Sequence, residues 1–151
     1  MQGYKRRQAI AVLLWLQSAM FGWGCIIAVS IFVSGPGHPE LPNQLLVAIE
    51  EAAGVALTAL LAVFTLRGSV LALYATSLFA LVSSLFGLAF AALEALWIGP
   101  LALLYLLFYP LPHVPLGAVA IPVLILSLSV IREMQGAARA SVPAQPTSSD
   151  L

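Results

Sequence analysis

Residues 44–66 read QLLVAIEEAAGVALTALLAVFTL, residues 67–69 read RGS, and residues 70–98 read VLALYATSLFALVSSLFGLAFAALEALWI. Two apolar runs, each longer than the roughly 20 residues that cross a hydrocarbon core, are separated by three residues suited to a turn. Arg67 is the only charge between Glu51 and Glu94. Arg67-Gly68-Ser69 reads as a tight turn, and Ser69 is a candidate N-cap for the next helix. The stretch therefore predicts a helical hairpin with spans at 44–66 and 70–97. The second run exceeds what a membrane requires, so its far end is expected to tilt, project or bend.

Upstream, Met1–Gln8 is polar and basic, and residues 9–33 are apolar apart from Gln17, Ser18 and Ser30. A cleavable signal peptide would have an apolar core of about 7–15 residues, so this longer run is expected to stay as a first span. Residues 34–43, SGPGHPELPN, hold three prolines and two glycines and read as a loop. Downstream, Gly99-Pro100 ends the third run. Leu101–Tyr109 is too short to cross and is expected to lie in the interface or to re-enter. Pro110, Pro112 and Pro115 then bar a regular helix. A fourth span is predicted at 113–131. Pro122 lies near its middle and frees the carbonyl of Ala118, so a kink is expected over Gly117–Pro122. Residues 135–151 are mostly Ala, Ser, Pro and Gln and are expected to form a disordered tail.

Charge sets the threading. Lys5, Arg6 and Arg7 precede the first run, Arg67 lies between the second and third, and Arg132 and Arg139 follow the last. The other two connections carry no Lys or Arg. This positive-inside pattern predicts four crossings with both termini in the cytoplasm. The chain is 62% hydrophobic and only 8% charged, where soluble domains run near one quarter charged. Lipid must therefore cover most of it. The expected fold is an all-α, multi-pass bundle of four transmembrane helices at residues 1–134, in a cell membrane of bacterial inner-membrane type.

Within lipid, small residues allow helices to approach closely. The third span carries Ala72, Thr76, Ala80 and Ser84 at four-residue spacing, and also Ser83, Gly87, Ala91 and Ala95. The second carries Gly54, Thr58 and Ala62, and on another face Ala48, Ala52 and Ala56; the first offers Gly24 and Ala28. These are candidate packing positions, either within one chain or toward a second copy or a partner membrane protein.

Glu50 and Glu51 are the leading candidates for a proton- or cation-sensitive group. At about 1.5 Å per residue they lie roughly 25 Å along the helix from Arg67, just inside the outer edge of a core about 30 Å thick. An ionisable group at that depth is a functional candidate. Neighbours on a helix point about 100° apart, so one can face the bundle while the other reaches the headgroups. The plainer alternative is that both reach water. Glu94, a third candidate, lies at or beyond the same interface. His38, Glu40 and His113 lack metal-ligand spacing, so no metal or other cofactor is expected.

Cys25 is the only cysteine and excludes an internal disulfide or a CxxC pair. The only aspartate is Asp150, so no Ser-His-Asp site can be assembled. No phosphate-binding glycine motif occurs. Six scattered basic residues do not suit nucleic acid, and Lys5–Arg7 suit lipid headgroups instead. These exclusions argue against an enzyme. The sequence favours an accessory or structural membrane protein that binds partner helices. An oligomeric small-solute or proton/cation-coupled transporter using Glu50 or Glu51 is the alternative.

Overall fold

The computed structural model describes residues 2–34, 41–98 and 113–140. They form four helices and, among the described residues, no strand: α1 (Gln2–Ser34), α2 (Leu41–Leu66), α3 (Val70–Ile98) and α4 (His113–Ala140). Each is long and apolar enough to cross a membrane, over Gly3–Ser34, Gln44–Leu66, Val70–Leu93 and Leu116–Ala140. The Leu101–Tyr109 expectation and the tail beyond Ala140 lie outside the described residues.

The α2–α3 turn shows how local sequence sets a helix end. Gly68 adopts φ 84°, the left-handed conformation that glycine reaches without a Cβ penalty. Gly68 N–H donates to the Thr65 carbonyl at 3.1 Å and Ser69 N–H to that of Phe64 at 3.1 Å. Those two bonds make a Schellman motif and satisfy carbonyls that the end of α2 would otherwise leave bare. Ser69 Oγ then accepts from Ala72 N–H at 3.2 Å and caps α3. Gly68→Ala is expected to destabilise the protein by about 1–2 kcal/mol, because alanine is strained at this φ. Ser69→Ala is expected to cost about 1 kcal/mol. Thermal unfolding in mild detergent checks both.

The bundle is a ring in the order α2, α1, α4, α3. The α1–α2 and α3–α4 pairs pack most extensively, α1 also packs on α4, and α2 meets α3 least. The diagonal pairs do not meet among the described residues. Near the turn, the Thr65 and Thr76 hydroxyls lie 3.5 Å apart and link α2 to α3. The apolar core takes Ile10 and Leu14 from α1, Leu61 and Ala62 from α2, Leu73 and Ala80 from α3, and Ala120, Val123 and Val130 from α4.

Small residues bring α3 against α4. Ala72, Thr76, Ala80, Ser84 and Gly87 are all buried, and Ser83 and Ala91 are half-buried. A Cβ on Gly117 would lie 2.9 Å from Gly87 Cα and 3.4 Å from the Ser83 carbonyl oxygen, so backbone meets backbone there. About three turns away along both helices, Ser77 Oγ donates to Ser127 Oγ at 2.8 Å. Large apolar side chains point outward instead: Leu71, Leu78, Leu88 and Leu96 are exposed, as are Trp15 and Trp23 on α1. A soluble monomer rarely exposes so much contiguous apolar surface.

Two expectations are corrected: Leu41–Asn43, expected within the loop 34–43, already form the start of α2, and the tail expected from residue 135 starts later. Pro42 in the first turn of α2 lacks only an N–H that has no helical partner. Helix α4 runs on through Gln135–Ala140, so the disorder expected from residue 135 does not begin there. Gln, Ala and Arg are good helix formers, and Arg139 sits in the last turn, where its charge complements the helix dipole. Helix α1 begins at Gln2, so Lys5–Arg7, which precede the apolar run, stand on the same helix. Helix α4 continues through Pro122 as a single element, and Pro115 falls in its first turn, where a missing N–H costs nothing.

Candidate functional site between α1 and α2

Helix α1 runs from the arginine-bearing end to Ser34, and α2 returns, so the two pack antiparallel. Their register is visible in a run of contacts. Ser18 Oγ donates to the Val55 carbonyl at 3.3 Å. The Phe21 ring covers Gly54, where a Cβ would lie 2.6–2.8 Å from ring carbons. Cys25 Sγ donates to the Ala48 carbonyl at 3.5 Å. Thr58 is fully buried and donates to the Gly54 carbonyl of its own helix at 2.7 Å. Ala28 is buried too.

Glu51 stands in the middle of this register. Its side chain is only 2% exposed. A Cβ on Gly24 would lie 2.8 Å from both Cδ and Oε2 of Glu51, so the carboxyl group fills the space that a side chain at position 24 would take. Buried Oε2 has no hydrogen-bond partner. A carboxyl group left in this way costs about 1–3 kcal/mol, and more if charged. Neighbouring Glu50 is exposed, as their angular separation on the helix allows. The side chain of Glu94 lies outside the described residues, as do those of His38, Glu40 and His113. Among the described residues no three His, Cys, Asp or Glu side chains gather as a metal cage.

A second buried polar group lies about two helical turns along α1. Gln17 Nε2 donates to the Leu116 carbonyl at 3.3 Å and ties α1 to α4, while its Oε1 is buried without a partner. Ser84, also buried, returns its hydroxyl to the Ala80 carbonyl at 2.7 Å. Glu51 and Gln17 thus stand apart from the other interior polar groups described, whose hydroxyls are spent on local or interhelical bonds.

The basic end has its own geometry. Arg6 pairs with Glu133 and donates to Ser129 Oγ at 3.4 Å, which joins α1 to α4. Arg7 Nη2 reaches Met134 Sδ at 3.4 Å, and Arg67 lies over the Phe64 ring, 5.9 Å from its centroid. The start of α1, the α2–α3 turn and the end of α4 therefore meet at one end of the bundle. The sequence pattern placed these basic residues together, but not the cleft they border. No family model, curated protein or solved structure matches this chain.

Proposed function

We propose that this is a multi-pass membrane protein, both ends in the cytoplasm, that acts as a small proton-coupled carrier with Glu51 as the group that takes up and releases the proton. One observation carries this reading: a carboxyl group inside an apolar helix pair, 2% exposed, with an unpartnered oxygen and a glycine opposite it. An ionisable side chain kept at that depth without a structural partner is costly, and a functional role accounts for its retention. A proton suits the site better than a metal cation, because bound Na⁺- or Ca²⁺-like ions call for several oxygen ligands. Placement of the basic end in the cytoplasm follows the positive-inside pattern of Lys5–Arg7, Arg67, Arg132 and Arg139.

The accessory reading keeps one specific support. Ala52 and Ala56 form an exposed small-residue stripe on α2, the helix that meets α3 least. A partner helix or a second copy would pack there, whereas the small residues of α3 from Ala72 to Gly87 are largely taken up inside the chain.

The test uses the purified full chain in liposomes containing a pH-sensitive dye. Wild type and Glu50→Gln are expected to carry protons down an imposed gradient, and Glu51→Gln is expected to lose this flux. A wild type that moves no protons under any pH gradient or potential rules the carrier out. The accessory reading would then stand on Ala52→Leu releasing a co-purifying membrane protein.

A further inference from the structure

At the basic end an open cleft of about 480 Å³ lies between the start of α1, the α2–α3 turn and the end of α4. Arg7 and Arg67 border it, beside Tyr4 and Gly68, and Leu66, Val130 and Met134 supply an apolar floor. The Arg7 guanidinium rests against the turn. A Cβ on Gly68 would lie 2.6 Å from its Nη1, so the glycine makes room for it. Among the described residues it donates to the thioether of Met134, a weak acceptor. Neither Arg7 nor Arg67 has a carboxylate partner among the described residues. Glu133, the one carboxylate bordering the cleft, is paired with Arg6. Among the described residues, therefore, the cleft holds two guanidinium groups without a carboxylate partner.

Two backbone features add to this charge. Gly3, in the first turn of α1, borders the cleft, and the amides of a first turn lack helical acceptors and favour an anion. At the end of α2 the Schellman bonds occupy the Thr65 and Phe64 carbonyls, so their oxygens are not left bare toward the cleft. Guanidinium groups bind phosphate oxygens through two parallel bonds. The apolar floor distinguishes the ligand further. Inorganic phosphate would leave Leu66 and Met134 uncovered, whereas the glycerol and first methylenes of a phospholipid would cover them. Tyr4, 61% exposed, suits the headgroup level at which such a lipid lies.

We propose that this cleft is a binding site for the phosphate group of an anionic phospholipid of the cytoplasmic leaflet, held by Arg7 and Arg67. The proposal rests on the membrane placement above but not on the role of Glu51.

The test measures binding of phosphatidylglycerol to the full-length protein in mild detergent by native mass spectrometry, with phosphatidylcholine and inorganic phosphate as comparisons. Wild type and Glu51→Gln are expected to retain phosphatidylglycerol equally, so a failure of the carrier reading leaves this result intact. Arg7→Gln and Arg67→Gln are each expected to weaken it about five- to tenfold. Lys5→Gln and Arg139→Gln, which remove the same charge outside the cleft, are expected to change it less than about twofold. Should Arg7→Gln fail to fold, Arg7→Lys keeps the charge but loses the fork and is expected to fall between. Equal losses in all four glutamine variants would reduce the effect to diffuse charge and overturn the site. Retention of phosphatidylcholine equal to phosphatidylglycerol would also overturn it. Competition by millimolar inorganic phosphate would assign the site to a free anion and overturn the lipid.

Discussion

Gly117→Leu is expected to destabilise the bundle by about 3 kcal/mol or more. Even a bare Cβ at position 117 would lie 2.9 Å from Gly87 Cα. That contact is with backbone, so no side-chain rotation relieves it. Helix α3 must move away from α4, which would loosen the Ser77–Ser127 hydrogen bond and the packing around Ala80 and Ala120. Gly117→Ala is expected to cost about 1–3 kcal/mol by the same route. Gly136 provides the contrast within the same helix. A Cβ there would meet nothing within 4 Å, so Gly136→Ala is expected to stabilise by about 0.5–1 kcal/mol through helix propensity. Reversible unfolding in mixed micelles, followed by far-ultraviolet circular dichroism, measures all three. Equal stability of Gly117→Leu and wild type would mean that α3 and α4 do not approach at this point.

Glu51→Leu is expected to raise stability by about 1–3 kcal/mol while abolishing proton movement. Leucine matches the volume of the carboxyl side chain closely enough to rest on Gly24, and it removes an oxygen that has no partner. Opposite signs for stability and activity mark a group kept for function at a cost to the fold. Glu50→Leu supplies the comparison, since Glu50 is exposed and a surface change falls within about 0.5 kcal/mol. Gly24→Ala acts on the same site from the other helix. Its methyl group would stand 2.8 Å from the Glu51 carboxyl carbon, so flux is expected to fall although the acid is retained. A Glu51→Leu protein that unfolds more readily than wild type would make the carboxyl group structural and remove the main support for the carrier.

Much of the architecture was legible because the signals are long and local. Apolar runs of about 20 residues, the break at 67–69 and the gathering of the basic residues at one end are each readable without tertiary information, whereas residues 41–43, expected as loop, already belong to α2. The turn at 67–69 and the Ser69 cap were legible too, since both are local signals, whereas the left-handed conformation of Gly68 is a finding of the structure. Helix ends were less so. Gln135–Ala140 has weak hydrophobicity, and its helicity follows from continuation of α4, which composition alone does not reveal. The site was half legible. Glu51 stands out as an acid in an apolar run, and its angular separation from Glu50 implies that only one of them faces inward. Which one depends on how α1 registers against α2, and residues 34–43 carry no signal that fixes that register. Gly24 reads as a packing glycine, and its placement opposite a carboxyl group is a property of the pair. The cleft at the basic end was not legible, because Arg7, Gly68 and Met134 come from three segments that only the bundle unites.

All depth assignments depend on which way the helices thread. In a Cys25→Ser background, Gly3→Cys, Gly37→Cys and Ala140→Cys can be labelled one at a time in intact cells with a membrane-impermeant maleimide. Labelling of Gly37→Cys alone is the expected result, with Gly3→Cys and Ala140→Cys reacting only after permeabilisation. Reaction of either terminal cysteine in intact cells, or protection of Gly37→Cys, would contradict the four-span arrangement with its arginines inside.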